Sequence, residues 1–254
     1  MRRTSIATSL TMTMMIIIQM PCSAEMMSPQ RETYPLIQSI AFTAPNTRVM
    51  HKAELFGPII GFPRGRILKI DSMVVDENQY ETSRIMLGDV TEDHMDEVFF
   101  YQYSTGSAGA MGLNVYSLVK NKWIPIFTDP SRTLANDDYD RFSSEYIGHG
   151  SLRFYDKRTR LSGVLDMSGF HFSEERLSKM KFQTDPISEY AIHYENIGCG
   201  IETVQWVFAF SHPASVFTVH SYYRYKFDEK TFALYETKIQ DEQGRALAAK
   251  IHHD

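Results

Sequence analysis

Short stretches in which apolar and polar residues alternate dominate the chain from about residue 66 onward. The clearest of them spans Phe217–Phe227. One phase is apolar or aromatic: Phe217, Val219, Tyr223, Tyr225 and Phe227. The other phase is polar: Thr218, His220, Arg224 and Lys226. A period of two places successive side chains on opposite sides of a strand, so this stretch is predicted to be a β-strand with one face toward solvent.

Pairs of such stretches flank short polar turns and predict β-hairpins. The predicted pairs are Leu113–Val119 with Trp123–Thr128, Leu152–Tyr155 with Arg160–Asp166, and Phe217–Phe227 with Thr231–Ile239. Single strands are predicted at Arg66–Val75 and Ser83–Leu87. Glu97–Ser104 is almost continuously apolar and aromatic, which predicts a strand in the centre of a sheet.

Helical signals are scarce. Ser173 precedes a pair of glutamates and predicts a capped short helix that ends before Pro186, and Ala135–Tyr146 is a candidate for another turn or two. No long amphipathic stripe follows either of them. The predicted fold is therefore mainly β, with antiparallel hairpins forming a propeller-like or sandwich-like domain with small helical insertions.

The N-terminal residues have the pattern of an export signal. Arg2 and Arg3 are followed by an uncharged, partly apolar stretch that ends in small residues at Ala24. This pattern predicts a signal peptide over residues 1–24 and an exported protein that is extracellular, periplasmic or associated with the cell envelope. A membrane anchor is disfavoured because Thr and Ser dilute the stretch. A lipoprotein attached through Cys22 is also disfavoured, because Gln19–Pro21 does not supply the residues that lipidation requires.

Composition narrows the class of protein further. The 254 residues are 43% hydrophobic, which supports a large core and excludes a disordered tail. Residues 25–50 contain three prolines and are predicted to be a loosely structured lead-in, followed by a single mainly-β domain over residues 51–254.

A net charge of −5 argues against nucleic acid as a partner, and no other apolar stretch is long enough to span a membrane. Signal removal leaves Cys199 as the only cysteine, interpreted as a buried thiol rather than a nucleophile.

An acidic loop, Gly88–Glu97, lies between two predicted strands. Oxygen-bearing side chains stand at its alternate early positions and near its end: Asp89, Thr91, Asp93 and Glu97. A hard cation such as calcium is bound by oxygen ligands in this kind of arrangement. The loop therefore predicts a calcium site, with a turn that is closed without metal as the alternative.

The same segment resembles the FG-GAP or VCBS-type repeat of exported bacterial proteins. The resemblance covers about residues 84–127, including the glycine-rich turn Ser104–Gly112 that follows the apolar strand. It implies a β-propeller-type or smaller all-β architecture and a role in binding or adhesion. The chain departs from the pattern at Glu92 and His94, which stand where the repeat has glycine, and it contains a single such loop where a propeller needs several blades.

The sequence carries no recognisable catalytic motif: it has no nucleophile elbow, Walker loop, dinucleotide-binding glycine pattern or His-Glu-x-x-His. Tyr222 lies on the polar phase of its strand and is a candidate ligand contact.

The predicted function is a non-catalytic binding or accessory protein of the bacterial cell envelope, whose ligand the sequence does not identify. The alternative is a secreted hydrolase that acts on polysaccharide or another polymer through paired carboxylates. Its candidate acids are Asp137, Asp138, Asp140, Glu174, Glu175, Glu189 and Glu195.

Overall fold

Antiparallel β-strands make up most of the computed structural model, which describes residues 34–44, 48–58, 65–78, 80–106, 109–131, 140–195, 198–209 and 215–253. The predicted signal peptide, residues 1–24 with Cys22, lies outside these residues. The strands in the described ranges are β1 (Leu36–Thr43), β2 (Met50–Phe56), β3 (Arg66–Ile70), β4 (Met73–Asn78), β5 (Thr82–Gly88), β6 (Glu97–Tyr103), β7 (Met111–Val119), β8 (Lys122–Phe127), β9 (Phe142–Gly148), β10 (Ser151–Asp156), β11 (Leu161–Asp166), β12 (Gln183–Glu195), β13 (Gly198–Phe208), β14 (Ser215–Lys226), β15 (Thr231–Asp241) and β16 (Ala246–Ile251).

Short helical pieces interrupt the strands within the described ranges. Ser168–Phe170 is a 3-10 turn, and α1 is a single α-helix over Glu174–Ser178. The Ser173 side chain accepts a hydrogen bond from the Arg176 backbone N–H and so caps α1, as the sequence predicts. None of the helices in the described ranges is long and apolar enough to cross a membrane.

The strands form four antiparallel sheets, each built from strands that are consecutive in the chain. In the described residues the first sheet contains β1–β4, the second β5–β8, the third β9–β11 and the fourth β12–β16. Every neighbouring pair of these strands is antiparallel. The prediction of a mainly β fold built from antiparallel hairpins is confirmed.

The second sheet is covered on both faces. Val98 and Phe100 pack in one cluster with residues of the first sheet such as Leu55, whereas Phe99 and Tyr101 pack in another with residues of the fourth sheet. Because alternate side chains of β6 enter two different cores, almost every residue of the strand is apolar. The central strand predicted at Glu97–Ser104 is confirmed, with its end at Tyr103.

The fourth sheet packs its inner face on both the second and the third sheets. Near one end its residues meet the second sheet, and Ile201 and Tyr190 belong to that cluster. Near the other end Phe217 lies against Phe142 and Phe154 of the third sheet, with ring centroids 5.2 and 5.0 Å away. The opposite face of the fourth sheet is therefore the one that remains for solvent or a ligand.

A buried polar chain joins the first, second and fourth sheets. The Tyr190 hydroxyl donates to Asp129 Oδ1 at 2.7 Å, and the Asp129 backbone N–H donates to Asn114 Oδ1 at 2.9 Å. The Asn114 amide then donates to Asp76 Oδ2, which also accepts from the Tyr116 hydroxyl. Polar groups removed from water are costly unless they are paired, so this chain fixes how the three sheets meet.

Three sequence predictions need correction. The strand predicted over Arg66–Val75 is two strands, because Asp71 and Ser72 adopt left-handed conformations (φ 50° and 69°) and reverse the chain. The lead-in predicted over residues 25–50 contains β1, which begins directly after Pro35 and pairs along β2; residues 25–33 and 45–47 lie outside the described ranges. The helical turn or two predicted within Ala135–Tyr146 must end before Phe142, where β9 begins; residues 135–139 lie outside the described ranges.

The three predicted hairpins are confirmed as β7–β8, β10–β11 and β14–β15. In β7–β8 the two-residue turn places both Lys120 (φ 50°) and Asn121 (φ 60°) in the left-handed region, the geometry that matches the twist of the paired strands. The β14–β15 turn brings the polar phase of β14 beside β15, and this arrangement builds the face described next.

Candidate binding face and acidic loop

The acidic loop between β5 and β6 is held by its own carboxylates. Asp89 Oδ2 accepts a hydrogen bond from the His94 backbone N–H at 3.0 Å, and Asp93 Oδ1 accepts from the Met95 N–H at 2.9 Å. Glu92 and His94 adopt left-handed conformations, with φ of 59° and 65°. Both residues therefore adopt the positive φ that glycine reaches most readily, at the two positions where the resembled repeat has glycine.

Glu97 is fully buried beneath this loop. Its Oε2 accepts from the backbone N–H groups of Val90 (2.9 Å) and Thr91 (3.3 Å), and its Oε1 accepts from the hydroxyls of Thr91 (3.1 Å) and Ser117 (3.0 Å). Burial raises the pKa of Glu97 to about 7, although these hydrogen bonds oppose the rise and the Asp93 charge adds to it. The carboxyl therefore organises the loop from inside rather than pointing into solvent.

Among the four predicted metal ligands, the structure brings Thr91 and Glu97 into direct contact, whereas Asp89 and Asp93 cap backbone amides. Within the described residues, no cluster of three or more His, Cys, Asp or Glu side chains is arranged to hold a metal ion. Asp89 Oδ1 is buried and has no hydrogen-bond partner in the same part of the chain. Calcium binding stays a prediction.

Calorimetric titration tests the calcium prediction. A site that uses Asp89 and Glu97 gives a heat of calcium binding that is lost in Asp89→Ala, because the metal loses a charged oxygen ligand. The absence of heat at millimolar calcium removes the metal site and leaves a loop that is closed by hydrogen bonds alone.

The outer face of the fourth sheet carries the polar phase of β14 and the side chains aligned with it. Cross-strand pairing places Glu202 of β13 beside Tyr222 of β14 and Tyr222 beside Glu236 of β15, with His220 opposite Lys238. The intervening residues face the cores, where Ile201, Val219 and Ile239 are at most 1% exposed, and the outward ones are partly exposed. We call this surface the open face, and its central members are His193, Glu202, His220, Tyr222, Arg224, Glu236 and Lys238.

Glu202 is the hub of the open face. Its Oε1 lies 2.7 Å from His220 Nδ1 and its Oε2 lies 2.7 Å from His193 Nε2. Burial alone would raise its pKa, but hydrogen bonds from His220, Tyr222 and His193 outweigh burial and lower the pKa to about 2. His220 Nε2 is 3.0 Å from Thr218 Oγ1, so both nitrogens of that ring are engaged. Glu202 is thus a fixed anion that orients two imidazoles.

Tyr222, the ligand contact predicted from the sequence, lies in the middle of this cluster. Lys238 Nζ sits 4.8 Å from the centre of its ring, and the His193 ring lies 6.3 Å away. Lys238 also pairs with Glu236 at 2.9 Å. The aromatic ring therefore holds a cation on its face, as the negative face of the π-system favours.

Two shallow depressions meet on the open face. One, of about 110 Å³, is lined by residues that include His193, Tyr222 and Lys238. The other, of about 270 Å³, extends toward His252 and His253. Arg224 and Tyr235 line both, and the Arg224 guanidinium is stacked 3.7 Å from the centre of the Tyr235 ring. The two depressions therefore form one strip along the sheet with Arg224 at its centre.

A larger cleft, of about 850 Å³, lies beside β11 and β16 and contains Asp166, Asp241 and Arg245. The backbone N–H and side chain of Ser168 lower the pKa of Asp166. For Asp241, burial raises the pKa, but the Arg245 and Gln243 backbone N–H groups and the Arg245 side chain lower it overall. Both carboxylates cap turns, and neither has the raised pKa that a general acid needs.

The acids proposed for a hydrolase lie on the surface or outside the described ranges. Asp140 pairs with Lys157 at 2.7 Å and Glu175 with Lys179 at 2.6 Å, both in solvent. Asp137 and Asp138 lie outside the described residues, and the side chain of Glu195 does too. Cys199 is free and 1% exposed, and burial together with nearby acidic charges raises the pKa of its thiol to about 12. Its interpretation as a buried thiol is confirmed.

Sequence reasoning identified Tyr222 but missed the residues that surround it. His220 and Arg224 are visible as the polar phase of β14, whereas His193, Glu202 and Lys238 come from three other strands.

No family model matches the chain, and no curated protein shows significant similarity to it. The geometry of the open face is therefore the main guide to function.

Proposed function

We propose that the chain is an exported binding or accessory protein of the bacterial cell envelope, non-catalytic, that holds its ligand on the open face of the fourth sheet. One observation carries the proposal: a carboxylate hub orients two histidines beside a tyrosine and two cations along a shallow, solvent-facing strip. Mixed donors, acceptors and aromatic rings on an open surface suit recognition of an extended ligand. Export rests on the signal predicted at residues 1–24, and the resemblance of residues 84–127 to FG-GAP or VCBS-type repeats also favours binding.

The described carboxyls favour a binding protein over the alternative hydrolase. A glycosidase needs a protonated acid and an ionised carboxylate facing each other across a cleft. Glu97 has the raised pKa of an acid, but it is fully buried and surrounded by its own hydrogen-bond donors. Asp166 and Asp241 line the cleft of about 850 Å³, but their pKa values are lowered. The strip instead offers the shallow aromatic surface of a binder.

Tyr222→Ala is expected to weaken ligand binding by at least about tenfold, because it removes the ring on which Lys238 rests and a donor to Glu202. Binding is measured by co-sedimentation of the purified protein with bacterial cell-wall sacculi and with a panel of neutral and acidic polysaccharides. Tyr155→Ala is the matched control, since Tyr155 is an exposed strand tyrosine of the third sheet.

Two results would count against this function. Equal binding by both tyrosine variants and the unmodified protein would place the ligand elsewhere. Release of soluble sugar from any of the polymers, lost on mutation of an acid, would favour the hydrolase.

A further inference from the structure

We infer that the ligand of the open face is a linear polysaccharide that carries carboxylate groups, and that Arg224 pairs with those groups. The inference rests on the proposed function and specifies its ligand. Two observations support it: the ion pairing of the charged side chains on the strip, and the position of the strip over interior strands of the sheet.

The acids of the strip are engaged by neighbours. Glu202 is held between His193 and His220, and Glu236 pairs with Lys238. Arg224, in contrast, has no carboxylate partner within ion-pair distance in the described part of the chain. Its guanidinium carbon lies 3.7 Å from the centre of the Tyr235 ring. Contact with an aromatic face holds the cation without using its N–H donors, which are then available to a carboxylate.

Hydrogen-bonding side chains extend along the strip on either side of Arg224. Arg224 and His220 are four residues apart on β14, which places their Cα atoms about 13 Å apart. Lys238 lies across from His220, and His252 and His253 line the far depression. The strip is therefore longer than a small anion. A polymer that places one carboxylate on Arg224 and its neighbouring groups on the other hydrogen-bonding side chains matches this length better.

The position of the strip favours a saccharide over an acidic peptide. An extended peptide commonly binds by pairing its backbone with the free edge of a sheet. The strip lies chiefly over β13, β14 and β15, which are interior strands of the five-stranded sheet, so their backbone groups are used in the ladder. Recognition must therefore come from side chains. The Tyr222 and Tyr235 rings, the imidazoles and the carboxylates provide the mixed donors and acceptors that sugar hydroxyls match.

Binding titrations with polygalacturonate, its fully methyl-esterified form and poly-L-glutamate test the inference. We expect the purified protein to bind polygalacturonate and to bind the uncharged ester and the polypeptide much more weakly. Arg224→Gln is expected to lose about tenfold in affinity for polygalacturonate, with a smaller salt dependence, because one charge-assisted hydrogen-bond pair is lost. Arg153→Gln, at an exposed arginine of the third sheet, is the control and is expected to bind like the unmodified protein.

The outcomes separate the ligand class from the function. Equal affinity for polygalacturonate and its ester, with loss of binding in Tyr222→Ala, overturns the anionic ligand but leaves the open face as a binding site. Poly-L-glutamate bound as tightly as polygalacturonate overturns the saccharide. Unchanged affinity in Arg224→Gln overturns the role of that arginine, and no binding to polygalacturonate overturns the inference as a whole.

Discussion

Replacing Arg141 with methionine is expected to lower the free energy of unfolding by about 3–5 kcal/mol, because it leaves a buried carboxylate without its cation. Arg141 precedes β9 and donates through Nε and Nη2 to both oxygens of Asp156, at 2.9 and 2.7 Å. Its Nη1 donates to Gln205 Oε1 of the fourth sheet at 2.8 Å. Arg141 and Asp156 are 4% and 0% exposed, so water cannot replace the lost partner.

Urea unfolding near neutral pH measures this loss, and a double variant tests its cause. Burial raises the pKa of Asp156, but the Arg141 guanidinium outweighs burial and lowers it, so the carboxylate depends on the arginine. Arg141→Met combined with Asp156→Leu removes both charges and is expected to be more stable than Arg141→Met alone. A single variant that loses less than about 1 kcal/mol would show that the pair does not hold the third and fourth sheets together.

Glu97→Gln is expected to abolish a pH dependence of stability worth about 3 kcal/mol in the unmodified protein. The folded protein binds the Glu97 proton with a pKa of about 7, against an ordinary value of 4.5. This contribution to stability is fully present below the ordinary value and is lost as the pH rises through about 7. Unfolding should therefore become easier between about pH 5 and about pH 8.

Urea unfolding at several pH values across this range tests the sign. Glu145→Gln neutralises an exposed carboxyl of the third sheet and is the control that should keep the slope. A Glu97→Gln variant with the same slope as the unmodified protein would assign the pH dependence to other groups. A rise in stability toward alkaline pH that depends on Glu97 would mean that the hydrogen bonds from the loop outweigh burial.

The sequence correctly predicts strands in which the burial of each face is visible as a pattern of apolar and polar residues along the strand itself. β14 alternates because one face is buried and the other is in water. Most of β6 is apolar because sheets cover both of its faces, and Glu97 and Gln102 are its buried polar residues. The local sequence pattern does not reveal the turn at Asp71, because residues far away along the chain hold that turn in place. Asp71 accepts hydrogen bonds from the Trp123 indole and the Lys52 backbone N–H, and neither partner is visible in the local pattern.

In the candidate site, too, the residues of one strand can be predicted from the local pattern, whereas their partners from other strands cannot. The alternation of polar and apolar residues along β14 identifies its outward side chains, so Tyr222 and its neighbours on that strand can be predicted from the sequence. Glu202 and His193 become its partners only through the register of β12, β13 and β14, which depends on long-range pairing and on bulges within β12. The acidic loop was recognised from its spacing, but the burial of Glu97 depends on Ser117 and the covering sheets.

Hydroxyl-radical footprinting with and without polygalacturonate tests the central claim most directly, because it reports which side chains a ligand covers. The account predicts that polygalacturonate protects Tyr222, His193 and Tyr235 on the open face. Tyr155 on the third sheet and Tyr194, which is 68% exposed near the acidic loop, should react as before. Protection at Tyr194 or at Phe170 in the large cleft, with Tyr222 unchanged, would contradict a ligand on the fourth sheet.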